Sequence, residues 1–439
     1  SITTLSFEMS VIHPFQVVLS NEAGDLVFVV AKSTILAYHY KNDEYNLIGK
    51  WVDELARNSN DSDADVAKIH NSGFVKKLKS NEGKTVKQST ADPLFPIITS
   101  QIRNLQLSED ETKLVACADS DKSVIVLDIV LEADKNCLKL IKRQPFPKRP
   151  NAIAMTDDDK LIIADKFGDV FEMEAFTEGL QEIKEPILGH VSMLTDVLFA
   201  KDSQGKKYII TSDRDEHIKI SCYPQCFIVD KWLFGHREFI SSLNMPKWEP
   251  EWLFSAGGDE CLFAWNWVNG EKLSQFDYAD LIKPHLNDSH LAAARFQNEN
   301  NDVIEYAVSK VASTETIAFV AFFVDSTNIL IILKVCETTG SLSLGQTIEF
   351  PFKIVSLSAS GDEFQVTCDN RHSQENSFVQ FITFNKTRDN FEINVEKSTI
   401  FNEAVIRSLK EEESVKVEIG DIYPLYNITS LKKHGEHYS

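Results

Sequence analysis

The chain has 439 residues, of which 43% are hydrophobic and 25% charged, with a formal net charge of −21. Such a composition is globular and long enough for two average domains or one large all-β domain. So acidic a body repels phosphates, which excludes strong independent binding to nucleic acid except through a local basic patch.

Seven cysteines without a CxxC pair, and no secretory signal, are read as a reducing compartment, nuclear or else cytoplasmic. In chain order, residues 1–8 read as an added or extended N-terminus before a native start at Met9. Residues 14–40 form the first set of short β-branched and aromatic runs. Residues 55–96 are polar and poor in such runs, and are expected to be a disordered insertion. The weak cluster Lys76, Lys77 and Lys79 within it reads as solvated linker rather than nuclear signal.

From 103 onward one pattern recurs: an apolar strand, a polar turn containing Asp, and a second apolar strand. Examples are KLVACADSDKSVIVLDI (113–129), KLIIADKFGDVFEME (160–174), KYIITSDRDEHIKIS (207–221) and EWLFSAGGDECLFAW (251–265). The first apolar residues after the turns are Val124, Val170, Ile218 and Leu262, spaced 46, 48 and 44 apart. Hairpins repeating in the mid-forties, about four strands to a unit, predict an all-β, seven-bladed WD40-type β-propeller. Blades are expected at 14–40, 103–130, 151–175, 190–223, 236–267, 302–335 and 353–384, within a propeller spanning 9–410. The apolar runs IAFVAFFV (317–324) and NILIILKV (328–335) are too short to cross a bilayer and suit buried strands. Segment 269–300 is a longer excursion with a short helix, and 411–439 is a tail docked on the ring through Tyr423 and Tyr426.

Two Gly-His pairs, at His190 and His236, open repeats in phase with the hairpins. In WD repeats that His meets a turn Asp inside the blade. The expected partners are Asp215, 25 residues after His190, and Asp259, 23 after His236. Trp265 holds the usual Trp position, with Asn266 in place of the usual Asp. In the preceding blade Ser221 stands where Trp is usual and His217 where Ser or Thr is usual.

No catalytic constellation emerges: there is no GxSxG elbow, GxGxxG, P-loop or HExxH. Cys222 and Cys226 lack a matching downstream pair and read as ordinary thiols, so no metal is expected. The run DRDEH (213–217) places charges of both signs on a hairpin tip, where carboxylates stay hydrated. That suits complementarity to a protein partner better than acid–base catalysis. Lys142, Arg143, Lys148 and Arg149 form the densest basic cluster on a blade, either a contact to a nucleic-acid backbone or a solubilising loop.

The strings ACADSDKSVIVLD (116–128), KRPNAIA (148–154), ADKFGDVF (164–171), LGHVSMLTDV (188–197), TSDRDEHIKIS (211–221), GHREFISS (235–242) and IYPLYNITSLKKHGEHYS (422–439) closely resemble one family. It is the WD-repeat, non-catalytic subunit of the fungal tRNA guanine-N7 methyltransferase. The resemblance implies a scaffold in a heterodimer. A separate catalytic subunit would bind S-adenosylmethionine and methylate a guanosine in the tRNA variable loop, and this chain would bind no cofactor and meet tRNA mainly through that partner. It further implies that the fourth-blade hairpin contacts the catalytic subunit. Asp215, Glu216 and Lys219 are expected there, supported by Arg214, with Lys166 and Phe167 from the neighbouring blade. The alternative is a WD40 adaptor of another complex, such as a ubiquitin-ligase substrate receptor.

Overall fold

The computed structural model describes residues 10–56, 100–132, 135–371 and 377–435. The expectations for residues 1–8, for all but the first two residues of the insertion at 55–96 and for its three lysines lie outside the described residues. Among the described residues, seven four-stranded sheets form the blades of a propeller, each made of four consecutive strands. Blades 1 to 7 occupy 17–52, 102–145, 150–189, 194–233, 240–277, 308–349 and 354–393. The expected seven-bladed ring is therefore present.

The burial pattern explains why the apolar runs are nearly continuous instead of alternating. Middle strands are covered on both faces by neighbouring blades, so every residue of Leu26–Ala31 and of Trp252–Gly257 is buried. One apolar cluster fills each junction. Leu253, Phe263 and Trp265 of blade 5 pack on Ile210 and Ile220 of blade 4, and Ala321 and Leu330 of blade 6 pack on Phe364 and Val366 of blade 7. Each fully buried Leu, Ile or Phe contributes roughly 1.5–3 kcal/mol.

Because no strand is shared between the first and last blades, their junction needs other material. Ser10–Ile12 pairs antiparallel with Lys416–Glu418. The blade strands end at Ile393, and Val395–Leu409, expected within the propeller, is a helix N-capped by Asn394. It covers a sheet edge that the four-residue outer strand of blade 7 leaves partly unpaired. Asn402 Oδ1 accepts from the backbone N–H of Phe378 (3.0 Å) and Val379 (3.1 Å), and Ser398 Oγ accepts from that of Phe381 (3.0 Å). Phe401 meets Tyr38 and Tyr45 of blade 1 and Phe381 of blade 7, with ring centroids 5.1, 5.1 and 5.5 Å apart. An open edge is thereby satisfied and the ring closed by one element. The 269–300 excursion carries the helix Ala279–Ile282 and three short 3-10 turns, tied to blade 6 by His290 Nε2 at 2.8 Å from Asp325 O.

Candidate partner-binding face

The turns between second and third strands of the blades share one face of the ring, here called the upper face. In blade 5 the buried relay is complete. His236 Nδ1 donates to Asp259 (2.7 Å), Nε2 accepts from Ser255 (2.7 Å), and Trp265 Nε1 donates to the same hydroxyl (2.9 Å).

Blade 4 corrects the expectation for Asp215. His190 Nδ1 donates to Asp213 Oδ2 (2.8 Å), not to Asp215, while Nε2 accepts from Thr211 (2.6 Å). Asp213 Oδ1 also caps the turn, accepting from the N–H of Asp215 (2.8 Å) and of His217 (3.0 Å). Burial alone would raise the Asp213 carboxyl, but the His190 and backbone hydrogen bonds hold it below its ordinary value. Burial lowers His190 in turn, so the pair is a carboxylate beside a neutral imidazole. Asp213 has thus taken the fold-holding task and left Asp215 free to face outward.

The remaining hairpin charges are not simply solvated. Lys219 is only 6% exposed. Its ammonium donates to Gly189 O and lies 5.4 Å from the Trp232 ring centroid, and burial lowers its pKa. His217 packs edge-on to Trp232 at 5.5 Å and donates from Nδ1 to Asp213 (3.1 Å). Glu216 is exposed in a left-handed conformation (φ 74°), and its carboxyl is raised by desolvation and by Glu238 and Asp259 nearby. Arg214 Nε donates to Leu431 O (2.7 Å), and Asp215 is ion-paired with Lys433, so both are met by the chain's own C-terminal tail.

Beside this hairpin lies a patch that the sequence reading did not single out beyond Phe167. Trp232 and Phe234 stack with planes 16° apart, and Phe234 is 71% exposed. His190 joins Trp232 to the blade 3 turn: its ring lies 6.0 Å from Trp232 and its backbone N–H donates to Gly168 O (2.7 Å). Phe167, at that turn, is 59% exposed, and Val191 is fully exposed. Lys148 lies 4.3 Å over the Phe167 ring, with Lys166 exposed alongside. The legible signal was the run DKWLFGH (230–236), where two aromatics fall at the end of an outer strand instead of within a core strand.

The basic cluster on blades 2 and 3 does not form a phosphate-binding patch. Lys142 is buried and donates to Glu174 O and Thr177 Oγ1, both at 2.9 Å, and burial lowers its pKa. Arg143 is held between Asp53 (3.0 Å) and Asp121 (2.9 Å). Consecutive residues on a strand point to opposite faces, so Lys142 reaches into the junction with blade 3 while Arg143 meets the acids Asp53 and Asp121 on the other side. Only Lys148 is exposed, and Arg149 is half-buried.

Comparisons with known proteins agree with this architecture. The family described as tRNA methyltransferase TRM82 WD40 domain matches residues 27–186 and 177–387. The chain is 50% identical to the tRNA (guanine-N(7)-)-methyltransferase non-catalytic subunit TRM82 of Vanderwaltozyma polyspora, over 98% of this chain and 100% of that one. It is equally similar to the Saccharomyces cerevisiae protein of that name (50%, same coverage), and 48% identical to the Candida glabrata one. Among solved structures, the RRP9 WD40 repeats superpose with a TM-score of 0.55 at 13% identity, covering 83% of this chain and 89% of that one. That likeness shows the fold.

Proposed function

The chain belongs to the TRM82 WD40 family, and from that premise we propose that it is the non-catalytic, scaffolding subunit of a tRNA guanine-N7 methyltransferase. In this reading a separate subunit binds S-adenosylmethionine and transfers the methyl group within the tRNA variable loop. This chain holds that subunit in its active arrangement.

The observation that carries the proposal is the apolar patch of Phe167, Val191, Trp232 and Phe234 at the upper edge of blades 3 and 4. Large exposed aromatics beside fixed charges are the composition of an interface centre, where a few aromatic anchors supply most of the affinity and charges set orientation. Lys148 and Lys166 stand exposed beside the patch, with the Lys219 ammonium buried against Trp232, whereas the whole chain is strongly acidic. The facing surface of the catalytic subunit is therefore apolar with acidic edges. Glu216, Arg214 and Asp215 stand at the margin and orient the docked subunit. Within the basic cluster, Lys148 and Arg149 are the residues left to meet tRNA, and phosphate affinity resides mostly in the partner.

The test combines purified catalytic subunit, tRNA and radiolabelled S-adenosylmethionine, with and without this chain. Methyl transfer should require both proteins, and Phe234→Ser should suppress it by weakening association. Methylation by this chain alone, or unimpaired association of the Phe234→Ser variant, would refute the proposal.

A further inference from the structure

The tail crosses the upper face in two parts held by different forces. Its first part is anchored on blades 1 and 7. Tyr423 N–H donates to His13 Nε2 (3.0 Å), and Tyr426 donates to Asp369 (2.8 Å), both after the strand Lys416–Glu418 has paired. After the 3-10 turn Ile428–Leu431, the second part lies on blades 4 and 5 and on the excursion before blade 6. Arg214 donates to the carbonyls of Leu431 (2.7 Å) and Lys432 (3.3 Å), Lys433 pairs with Asp215, Lys432 approaches Glu238 (3.8 Å), and His434 meets Glu305 and stacks on Phe296.

We infer that residues 431–434 are a displaceable strap, which occupies the blade 4 hairpin in the free chain and leaves it when the catalytic subunit docks. This rests on the reading of that hairpin as the docking margin. Two observations support it. First, the strap covers the two hairpin charges, Arg214 and Asp215, that a docking partner would meet beside the apolar patch, so strap and partner exclude one another there. Second, its contacts at the hairpin are of the replaceable kind, the firmer stack of His434 on Phe296 and its pairing with Glu305 lying away from the hairpin on the excursion before blade 6. The Lys433 side chain is 56% exposed, the Lys432–Glu238 pair is long, and the Arg214 bonds go to backbone carbonyls that any strand could supply. Exposed ion pairs hold weakly, whereas the buried anchors at Tyr423 and Tyr426 keep the strap close and ready to rebind.

The partner then sees only the fraction of molecules with the strap released. Removing residues 431–439 should strengthen association with the catalytic subunit about five-fold, mostly through a faster on-rate. Thermal unfolding of the propeller should be unchanged. A peptide of residues 427–435 added in trans should weaken binding of the truncated chain, and the same peptide carrying Lys433→Glu should not. Unchanged or weaker association after truncation would overturn the strap, the second outcome making the tail part of the docking surface. If truncation is silent while Phe234→Ser abolishes association, the strap falls and the docking face stands. If truncation and Phe234→Ser are both silent, the docking face falls as well.

Discussion

Asp213 Oδ2 lies 2.8 Å from His190 Nδ1, while Asp215, two residues further along the same turn, reaches outward to Lys433. In blade 5 the equivalent roles fall differently. Thr211 and Ser255 both serve the histidine's Nε2, so Gly257 stands where Asp213 does and Asp259 where Asp215 does. A Cβ at Gly257 would come 2.0 Å from Phe239 O, so that blade cannot carry its acid there and uses the later position. The His–Asp interval is nonetheless 23 residues in both blades.

Separation of tasks between the two aspartates is testable by stability. Asp213→Ala removes the partner of a buried histidine and two turn N–H bonds, and should cost about 3 kcal/mol in denaturant unfolding. Asp215→Ala breaks only a surface pair and should cost under about 1 kcal/mol. Equal losses would contradict the assignment.

His13 predicts an acid-sensitive tail anchor. Desolvation lowers its pKa to about 4, with Lys32 and Arg371 acting in the same sense. Its Nδ1–H donates to Pro14 O (2.7 Å) and its Nε2 accepts from Tyr423, so the ring is neutral. The unfolded chain then binds more protons between about pH 6.5 and 4, and stability falls as pH drops through that window, by roughly 3 kcal/mol at its foot. Burial-lowered His190 adds to the same slope. Urea midpoints across the window should decline less steeply for His13→Gln.

Phe234→Ser and Phe167→Ala remove exposed rings with little packing below them. Each should leave the melting temperature within about 2 °C of the parent. An interface anchor lost from the patch weakens complex formation by about 2 kcal/mol, near thirty-fold. Calorimetric titration with the catalytic subunit provides the comparison.

The two halves of the basic cluster should part company. Arg143→Ala strands Asp53, a buried carboxylate, and should destabilise the fold by about 3 kcal/mol. Lys148→Ala should leave stability intact. If Lys148 meets a phosphate in the assembled enzyme, its removal lowers the salt dependence of tRNA binding by about one unit of slope.

Asn402→Ala probes ring closure. This buried amide serves three backbone groups of blade 7, two N–H and the Val379 carbonyl. Leaving them unpaired should cost about 2–4 kcal/mol. Hydrogen exchange should accelerate first in Val379–Asn385, the strand the helix covers.

The ring itself was legible from the residues. Apolar runs divided by Asp turns, repeating in the mid-forties, can bury both faces of their middle strands only by stacking blade on blade, and that holds whatever lies elsewhere in the chain. The closing helix was not, because its buried stripe of Ser398, Phe401, Asn402, Val405 and Leu409 includes two polar residues that mute the apolar period. Nor was the fate of individual charges. Lys142, Arg143 and Lys219 read as free cations until the fold set carbonyls, carboxylates and an aromatic ring against them. Arg214 and Asp215 looked like open contacts until a tail segment 217 residues downstream of Arg214 was brought onto them. Local pattern determines where a backbone hydrogen-bonds and which side chains must leave water. The availability of a charged group depends on what long-range packing places beside it, and only the tertiary structure decides that.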